Sequence, residues 1–528
     1  MKKISLILFA LSFSFLSCEK PLNLTPYDFR LPEDYYRNKT ELNYALTGIY
    51  SVLKDNSLYA NNMLGRMGLD ADQAFDRNSN DANSIGDYSV STGDIKVQSF
   101  WRVLYAGINR ANMLLKNIDV PTDLTQVERG VIEGEALFLR SYFYFLLVTN
   151  FGDVPLVLEP INTALAKAHQ VARTPKVQVY QRIVSDLEKA AGLVLPIETI
   201  GFGGRVSKSA VWGILARVNL HWAGFPIKDQ TRYAEAKKWA GEVMRLSIHK
   251  LNPSFKNVFE KLARDEYDIG ESIFEVEFYG NGTGIYAGLG GYVGVNNGIY
   301  NQTDIDLGYS YSYINTTRYT YDVYTSANDK RRDWTVAPFY YAFSNGVGRE
   351  VNRTANQIML RNCGKFRRTS ETLLPKHKSY TPQNFPILRF SDVLLMFAEA
   401  DNEIGTTSEG YEALNKVRRR GYGLDIYTKN ASVDIQEGLG KEDFLEVIQD
   451  ERTRELAFEC LRKGDLVRWG IFLRNMKARL NDVNNHEYFY DLRFARATFT
   501  NVAARDVVWP IPSYELGVNY ELEQNVGW

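Results

Sequence analysis

The chain has 528 residues, enough to bury more than one hydrophobic core, and a formal net charge of −1, which offers no basic field for nucleic acid or anionic lipid. It carries 33 Tyr, 28 Phe and 8 Trp against 5 His and 3 Cys, so planar apolar surface is plentiful while imidazole is scarce and a dense disulfide framework is excluded.

Lys2 and Lys3 open the chain ahead of a short apolar run, ISLILFALSFSFLS, that ends at Cys18. The run is shorter than the roughly 20 residues a bilayer-spanning helix needs and has the length of a signal-peptide core. A cysteine closing such a run reads as the acylation point of a bacterial lipoprotein, with residues 1–17 as the leader and 18–32 as an extended tether. Ordinary secretion with an incidental cysteine is the plainer alternative. No later stretch is long and apolar enough to span a membrane.

Residues 33–250 read as an N-terminal helical region. A first helix in 33–54 carries Leu42, Ala45, Leu46 and Ile49 on one side. A polar loop, 68–98, follows; so long a stretch without periodicity marks a functional or a disordered surface. Helical spacing returns at 99–118, 126–149, 176–191, 207–223 and 231–247. In the last pair, Ala210, Gly213 and Ala216 on one helix and Ala234 and Ala240 on the other allow close approach, the logic of a tetratricopeptide-like hairpin.

Residues 251–383 change character: ESIFEVEFYG alternates like a strand, and the following glycine-rich stretch is poor in helix formers. This is an irregular insert with short strands, set into an otherwise all-α fold. Helices resume at 390–403, 408–420, 441–460 and 464–479 within a C-terminal helical region, 384–480. The tail, 481–528, is expected to be irregular and to pack on the body, since its aromatics would otherwise lie exposed.

The insert holds the densest set of candidate binding rings: Tyr286, Tyr292, Tyr300, Tyr309, Tyr311, Tyr313, Tyr319, Tyr321, Tyr324, Trp334, Tyr340 and Tyr341. A sugar ring has a flat C–H face bordered by hydroxyls, so it wants an aromatic platform with polar groups around it. Trp334 is the largest single platform and lies beside Arg331, Arg332 and Asp333, which can bond to hydroxyls. The plainer reading is that these rings pack the insert against the helices or against a partner.

Other chemistry is thin. Cys363 and Cys460 could pair, although Cys460 sits in an apolar-periodic stretch that favours a buried thiol. Asp76, Asn78 and Asn80 begin with calcium-loop spacing, but Asp81 and Asp87 replace the glycine and glutamate that loop needs; a structural calcium ion in another arrangement is left open, and no other cofactor is implied. Glu451, Glu455 and Glu459 share a helix face near Arg452 and Arg454, where helical salt bridges account for them without a reaction.

Several segments together resemble the SusD/RagB family of surface nutrient-binding lipoproteins: FWRVLYAGINRAN (100–112), EALFLRSYFYFLLVTNFGDVPLV (135–157), FPILRFSDVLLMFAEA (385–400), ALNKVRRR (413–420), ERTRELAFECLRKGDLVRWG (451–470) and VWPIPSYELGVNYELEQNVGW (508–528). Lys463, Gly464 and Trp528 depart from the usual pattern in ways that touch packing. The resemblance implies a tetratricopeptide-like helical body exposed at the outer membrane, anchored by lipid and acting as the lid of a TonB-dependent transporter that takes up oligosaccharide. It also implies a ligand-facing loop before the FWRVLYAGINRAN helix, which favours Asp70, Asp72, Gln73, Arg77 and Asn83 as polar rim residues. The ligand set expected is therefore Trp334, Tyr286, Tyr292, Tyr309, Tyr311, Tyr313, Arg332, Asp72, Arg77 and Asn83, with no catalytic residue. A peptide-receiving lid, a glycoside hydrolase and a structural transporter partner without ligand contact are the competing readings.

Overall fold

The computed structural model describes residues 35–63, 71–77, 85–161, 169–344, 347–484 and 492–528. The leader, Cys18 and the tether lie outside them, as do Asp70, Asn83 and most of the calcium-like stretch. Among the described residues no helix is long and apolar enough to cross a membrane.

Side-chain caps set where most of the N-terminal helices begin, because the first N–H groups of a helix have no partner of their own. Asn38 caps α1 (Lys39–Tyr50). Asp94 accepts from the backbone N–H of Lys96 and Val97, which starts α2 (Ile95–Lys116) ahead of the 99 that periodicity alone suggests. Thr125 and Glu128 form a reciprocal capping box on α3 (Gln126–Phe151). α4 (Lys176–Leu193) follows Pro175, Ser207 caps α5 (Lys208–Ala223), and α6 (Arg232–Met244) completes the N-terminal series.

These helices stack in order, α2 on α3, α3 on α4, α4 on α5 and α5 on α6, as tetratricopeptide-like pairs do. Glycines let neighbours close up: a Cβ at Gly107 would stand 2.6 Å from Phe143, and one at Gly134 2.8 Å from Val194. Ala210, Gly213, Ala216 and Ala240 are buried as their spacing implies. Ala234 is not; it faces solvent, and Ala236 takes its place in the interface, because the face of α6 that meets α5 is turned by two residues from the expected one.

Beyond α7 (Phe255–Arg264) the chain forms three two-stranded antiparallel sheets among the described residues. β1 (Ala74–Asp76) pairs with β3 (Ile314–Thr316), β2 (Ser272–Val276) with β6 (Phe385–Arg389), and β4 (Phe339–Ser344) with β5 (Val347–Asn352). The first of these sews the polar loop to the insert. β6 runs straight into α8 (Phe390–Gly405), which packs on α6, on α9 (Ser408–Gly421) and on α10 (Lys441–Leu456).

Two C-terminal helices differ from their expected lengths. α10 stops at Leu456 because Phe458 and Cys460 take left-handed backbone angles, φ 65° and 60°. The stretch 464–479 is two helices, α11 (Arg462–Arg468) and α12 (Phe472–Asn484), broken where Gly470 turns to φ 73°. Past α13 (Arg493–Asn501) the remaining chain lies as a strap over the end of α3. There Trp509 is fully buried, and the Asn525 amide donates to the carbonyls of Phe151 and Trp509 at 2.9 and 2.8 Å.

Glu451, Glu455 and Glu459 were expected to bridge along their helix, and Arg454 does so with Glu451. Most of their partners come from elsewhere. Glu455 accepts from Arg331 of the insert, Arg389 of β6 and Arg420 of α9, at 3.2, 2.9 and 2.5 Å. Glu459 takes Arg389 and Lys365. The cluster is sealed from water, so each ion keeps its partners only because the geometry is complete.

Candidate functional site

Short strands and turns bring part of the tyrosine set to one face. In the segment after Gly308, where Ser312 turns to φ 56°, Tyr309, Tyr311 and Tyr313 come together on one side. The segment is held there by backbone bonds from Tyr311 N–H to Val295 and from Tyr313 N–H to Asn296, at 2.8 and 2.7 Å. The rings of Tyr311 and Tyr313 stand 5.4 Å apart and 1° from parallel, while Tyr309 meets Tyr311 edge-on at 5.0 Å. Tyr311 and Tyr313 keep part of their surface in water; Tyr309 is buried.

Arg77 joins this face from the far side of the sequence. Its backbone N–H donates to the Tyr313 carbonyl at 2.9 Å, and its guanidinium lies 4.7 Å from the centre of the Tyr300 ring. Tyr300 in turn meets Tyr340 of β4 at 6.3 Å, with the Arg353 guanidinium 4.0 Å over Tyr340. The ammonium of Lys378 stands 4.9 Å from the Tyr309 ring. Arg368 ties the edges together, donating to the carbonyls of Tyr309, His377 and Tyr380, each at 2.8 Å. Burial and then the neighbouring Tyr311 raise the Tyr309 phenol above its ordinary value.

Tyr292 lies beside Tyr380, ring centres 5.3 Å apart, its phenol pushed up to about 12 by burial and by its bond to Tyr380. The side chain of Tyr286 is outside the described residues.

Trp334 and Arg332 are not part of the Tyr311 face. Strand β4 alternates, so Tyr340 points to Tyr300 while Tyr341 points the other way, into a hollow of about 410 Å³ that Trp334 lines with Lys256, Glu350 and Arg367. There the Arg367 guanidinium covers the indole at 3.9 Å. Arg332 is bound to Asp333 at 3.0 and 3.2 Å, and Arg331 is buried against Asp329, Glu451 and Glu455. Arg331 has no free edge for a hydroxyl.

Asp72 is also turned inward. It is 1% exposed and accepts both bonds of the Arg462 guanidinium, at 2.8 and 2.9 Å. Gln73 is buried beside it, its carbonyl accepting from the Thr317 N–H and the Thr320 hydroxyl. A polar loop need not be a wet one: these two residues pin the loop rather than reach out from it. Lys378, Arg353 and Tyr380 escaped the sequence reading, though the basic–aromatic stretch KHKSY (376–380) carried a signal.

A larger cavity, about 530 Å³, lies between α3, α5 and the C-terminal strap and shares no residue with the tyrosine face. Arg468 and Glu459 among its lining residues are bonded within the protein. Cys363 is buried, and the Cys460 thiol contacts the Met63 carbonyl; no disulfide joins the two. Among the described residues no cluster of His, Cys, Asp or Glu could hold a metal ion.

A body of stacked helical hairpins with paired aromatic rings on an irregular insert defines a protein of the helical-repeat class. The model of the SusD family matches residues 270–528, and a second, described as starch-binding associating with outer membrane, matches 22–220. Together they take in most of the chain, which belongs to the SusD family. SusD-like protein P25 of Formosa agariphila is 27% identical over 96% of this chain and 95% of its own length. The starch-binding protein SusD of Bacteroides thetaiotaomicron is 22% identical, covering 83% and 80%. A solved SusD homologue from Bacteroides thetaiotaomicron superposes with a TM-score of 0.86 at 26% identity over 94% of this chain and 98% of that one. A laminarin-binding SusD-like protein superposes at 0.72 with 24% identity over 93% and 100%, a likeness of fold.

Proposed function

We propose that the chain is a non-catalytic glycan receptor, anchored through Cys18 at the outer membrane and serving as the substrate lid of a TonB-dependent oligosaccharide transporter. The observation that carries this reading is the parallel, part-exposed pair of Tyr311 and Tyr313, backed by Arg77 on Tyr300. Two parallel, stacked rings at that spacing form a part-exposed aromatic ridge against which the C–H face of a sugar can pack, and the phenol and guanidinium edges supply hydrogen bonds to hydroxyls. The names of the relatives, starch-binding and laminarin-binding, support the same class of ligand. Glu451 and Glu455 of α10 are closed in by arginines, which argues against a paired-carboxylate cleft there.

Trp334 and Arg332 are proposed as an outlying contact for a long chain that passes over the β4–β5 hairpin, and Tyr292 as a margin of the main face. The test is a glycan array read with the purified mature protein, then titration of the best ligand against Tyr311→Ala and Tyr313→Ala. Loss of binding with an unchanged melting temperature is the expected result. A blank array combined with peptide binding would replace this reading by that of a peptide importer's lid.

A further inference from the structure

We infer that the glycan taken by the tyrosine face is acidic, carrying sulfate or carboxylate groups; the inference rests on the reading of that face as a glycan site. Two cations lie over rings of this region, Arg77 over Tyr300 and Lys378 over Tyr309, while Arg353, which has other partners, covers Tyr340. A guanidinium that stacks on a ring spends its face on the contact and keeps its N–H edge for an acceptor, and an oxyanion can take two parallel bonds from that edge.

The arginines sealed in the helical body contrast with Arg77, which, like Arg361 and Arg367, lies over a ring. Arg331, Arg389, Arg419, Arg420, Arg452, Arg462 and Arg468 all end on carboxylates. Around Arg77 and Lys378 no carboxylate lies within ion-pair distance among the described residues, and the Arg77 Nε–H has no acceptor among them. Asp304, on the loop before Tyr309, spends its oxygens on the backbone N–H groups of Asp306, Leu307 and Gly348, holding that loop to the hairpin rather than neutralising Arg77. Asp76, beside Arg77, is buried in β1. Asn61 and Asn296 are bonded to each other. A face built for neutral sugar would set carboxylates and amides around its rings to accept from hydroxyls; this one sets donors with positive charge, and oxyanions on the ligand would complete it.

The experiment pairs acidic glycans with their own neutral forms, sulfated oligosaccharides with desulfated ones and uronate oligosaccharides with carboxyl-reduced ones, on the purified mature protein. The best acidic ligand should bind at least about tenfold more tightly than its neutral form and weaken as salt rises from about 0.05 M to about 0.5 M. The exposed Lys378→Gln should erase much of that difference while leaving any binding of the neutral form and the melting temperature in place, and Arg77→Gln should weaken the acidic form far more than the neutral one. Equal binding of the two forms would overturn the inference and leave the glycan reading standing. If neither form of any glycan is bound, both readings fall.

Discussion

Asp72 and Arg462 are 390 positions apart and meet in a two-bond ion pair, 2.8 and 2.9 Å, sealed under the tyrosine-bearing insert. Arg462 also donates to the Tyr319 hydroxyl at 3.0 Å, and Asn475 of α12 donates to Asp72. The pair therefore holds the polar loop, the insert and two C-terminal helices at one point. Removing one ion leaves the other buried without a counter-charge, so Asp72→Ala should cost about 3–5 kcal/mol, read as a lower urea midpoint. Because β1 and Arg77 follow within five residues, ligand affinity should fall in the same variant.

Two glutamates should give opposite pH signatures. Burial alone would raise Glu451, but Arg331, Arg418 and Arg454 outweigh it and hold the carboxyl at about 2, below the ordinary 4.5. Its folded value is depressed, so its contribution is present above about 4.5 and is lost as pH falls toward 2. Glu275 is pushed up to about 7, chiefly by burial, so it folds protonated; its contribution is full below about 4.5 and drains away as pH rises to 7. Each shift corresponds to about 3 kcal/mol at 1.36 kcal/mol per unit. Melting curves taken from about pH 3 to pH 8 should lose the decline between pH 5 and 7 in Glu275→Gln and keep the acid limb; an unaltered decline would contradict the assignment to Glu275.

Gly213 of α5 meets Leu388 of β6, and a Cβ there would run into the buried leucine side chain. Gly213→Ala should destabilise by about 1–3 kcal/mol despite the better helix propensity of alanine, since the core cannot give way. Denaturant unfolding of this variant alongside Gly192→Ala, where nothing stands within 4 Å, separates the clash from the propensity. The control should be neutral or slightly more stable.

At the tyrosine face, ring and hydroxyl can be told apart. Tyr311→Phe keeps the parallel contact with Tyr313 and should lose only a few-fold in glycan affinity, whereas Tyr311→Ala should lose about tenfold or more, about 1.5 kcal/mol. Calorimetric titration of the two variants against one ligand decides it. If the phenylalanine variant is as weak as alanine, the hydroxyl rather than the stack carries the binding.

The helices were legible because their apolar spacing is local. Leu42, Leu46 and Ile49 announce α1 from within a dozen residues, and each is buried. The errors came where the answer depended on distant residues. Nothing near Asp72 reveals that Arg462 will claim it, so a buried anchor looked like a rim residue. Ala234 and Ala236 differ only in which face of α6 meets α5, a rotation that the packing decides. The break at Gly470 was readable as a glycine but not as a left-handed turn. At the binding face the tyrosines could be counted but not placed: Tyr340 and Tyr341 are adjacent in sequence and look into different spaces, because a strand sends neighbours to opposite sides.

The convergence of Arg331, Arg389 and Arg420 on Glu455 gives the molecule an unusual tolerance of backbone cuts. The exposed stretch 436–440 separates α9 from α10, and a protease that nicked it would divide the polypeptide between the arginines and their glutamate. The two fragments should still migrate as a single particle on gel filtration, and separate only once denaturant dissolves the contacts that water does not reach.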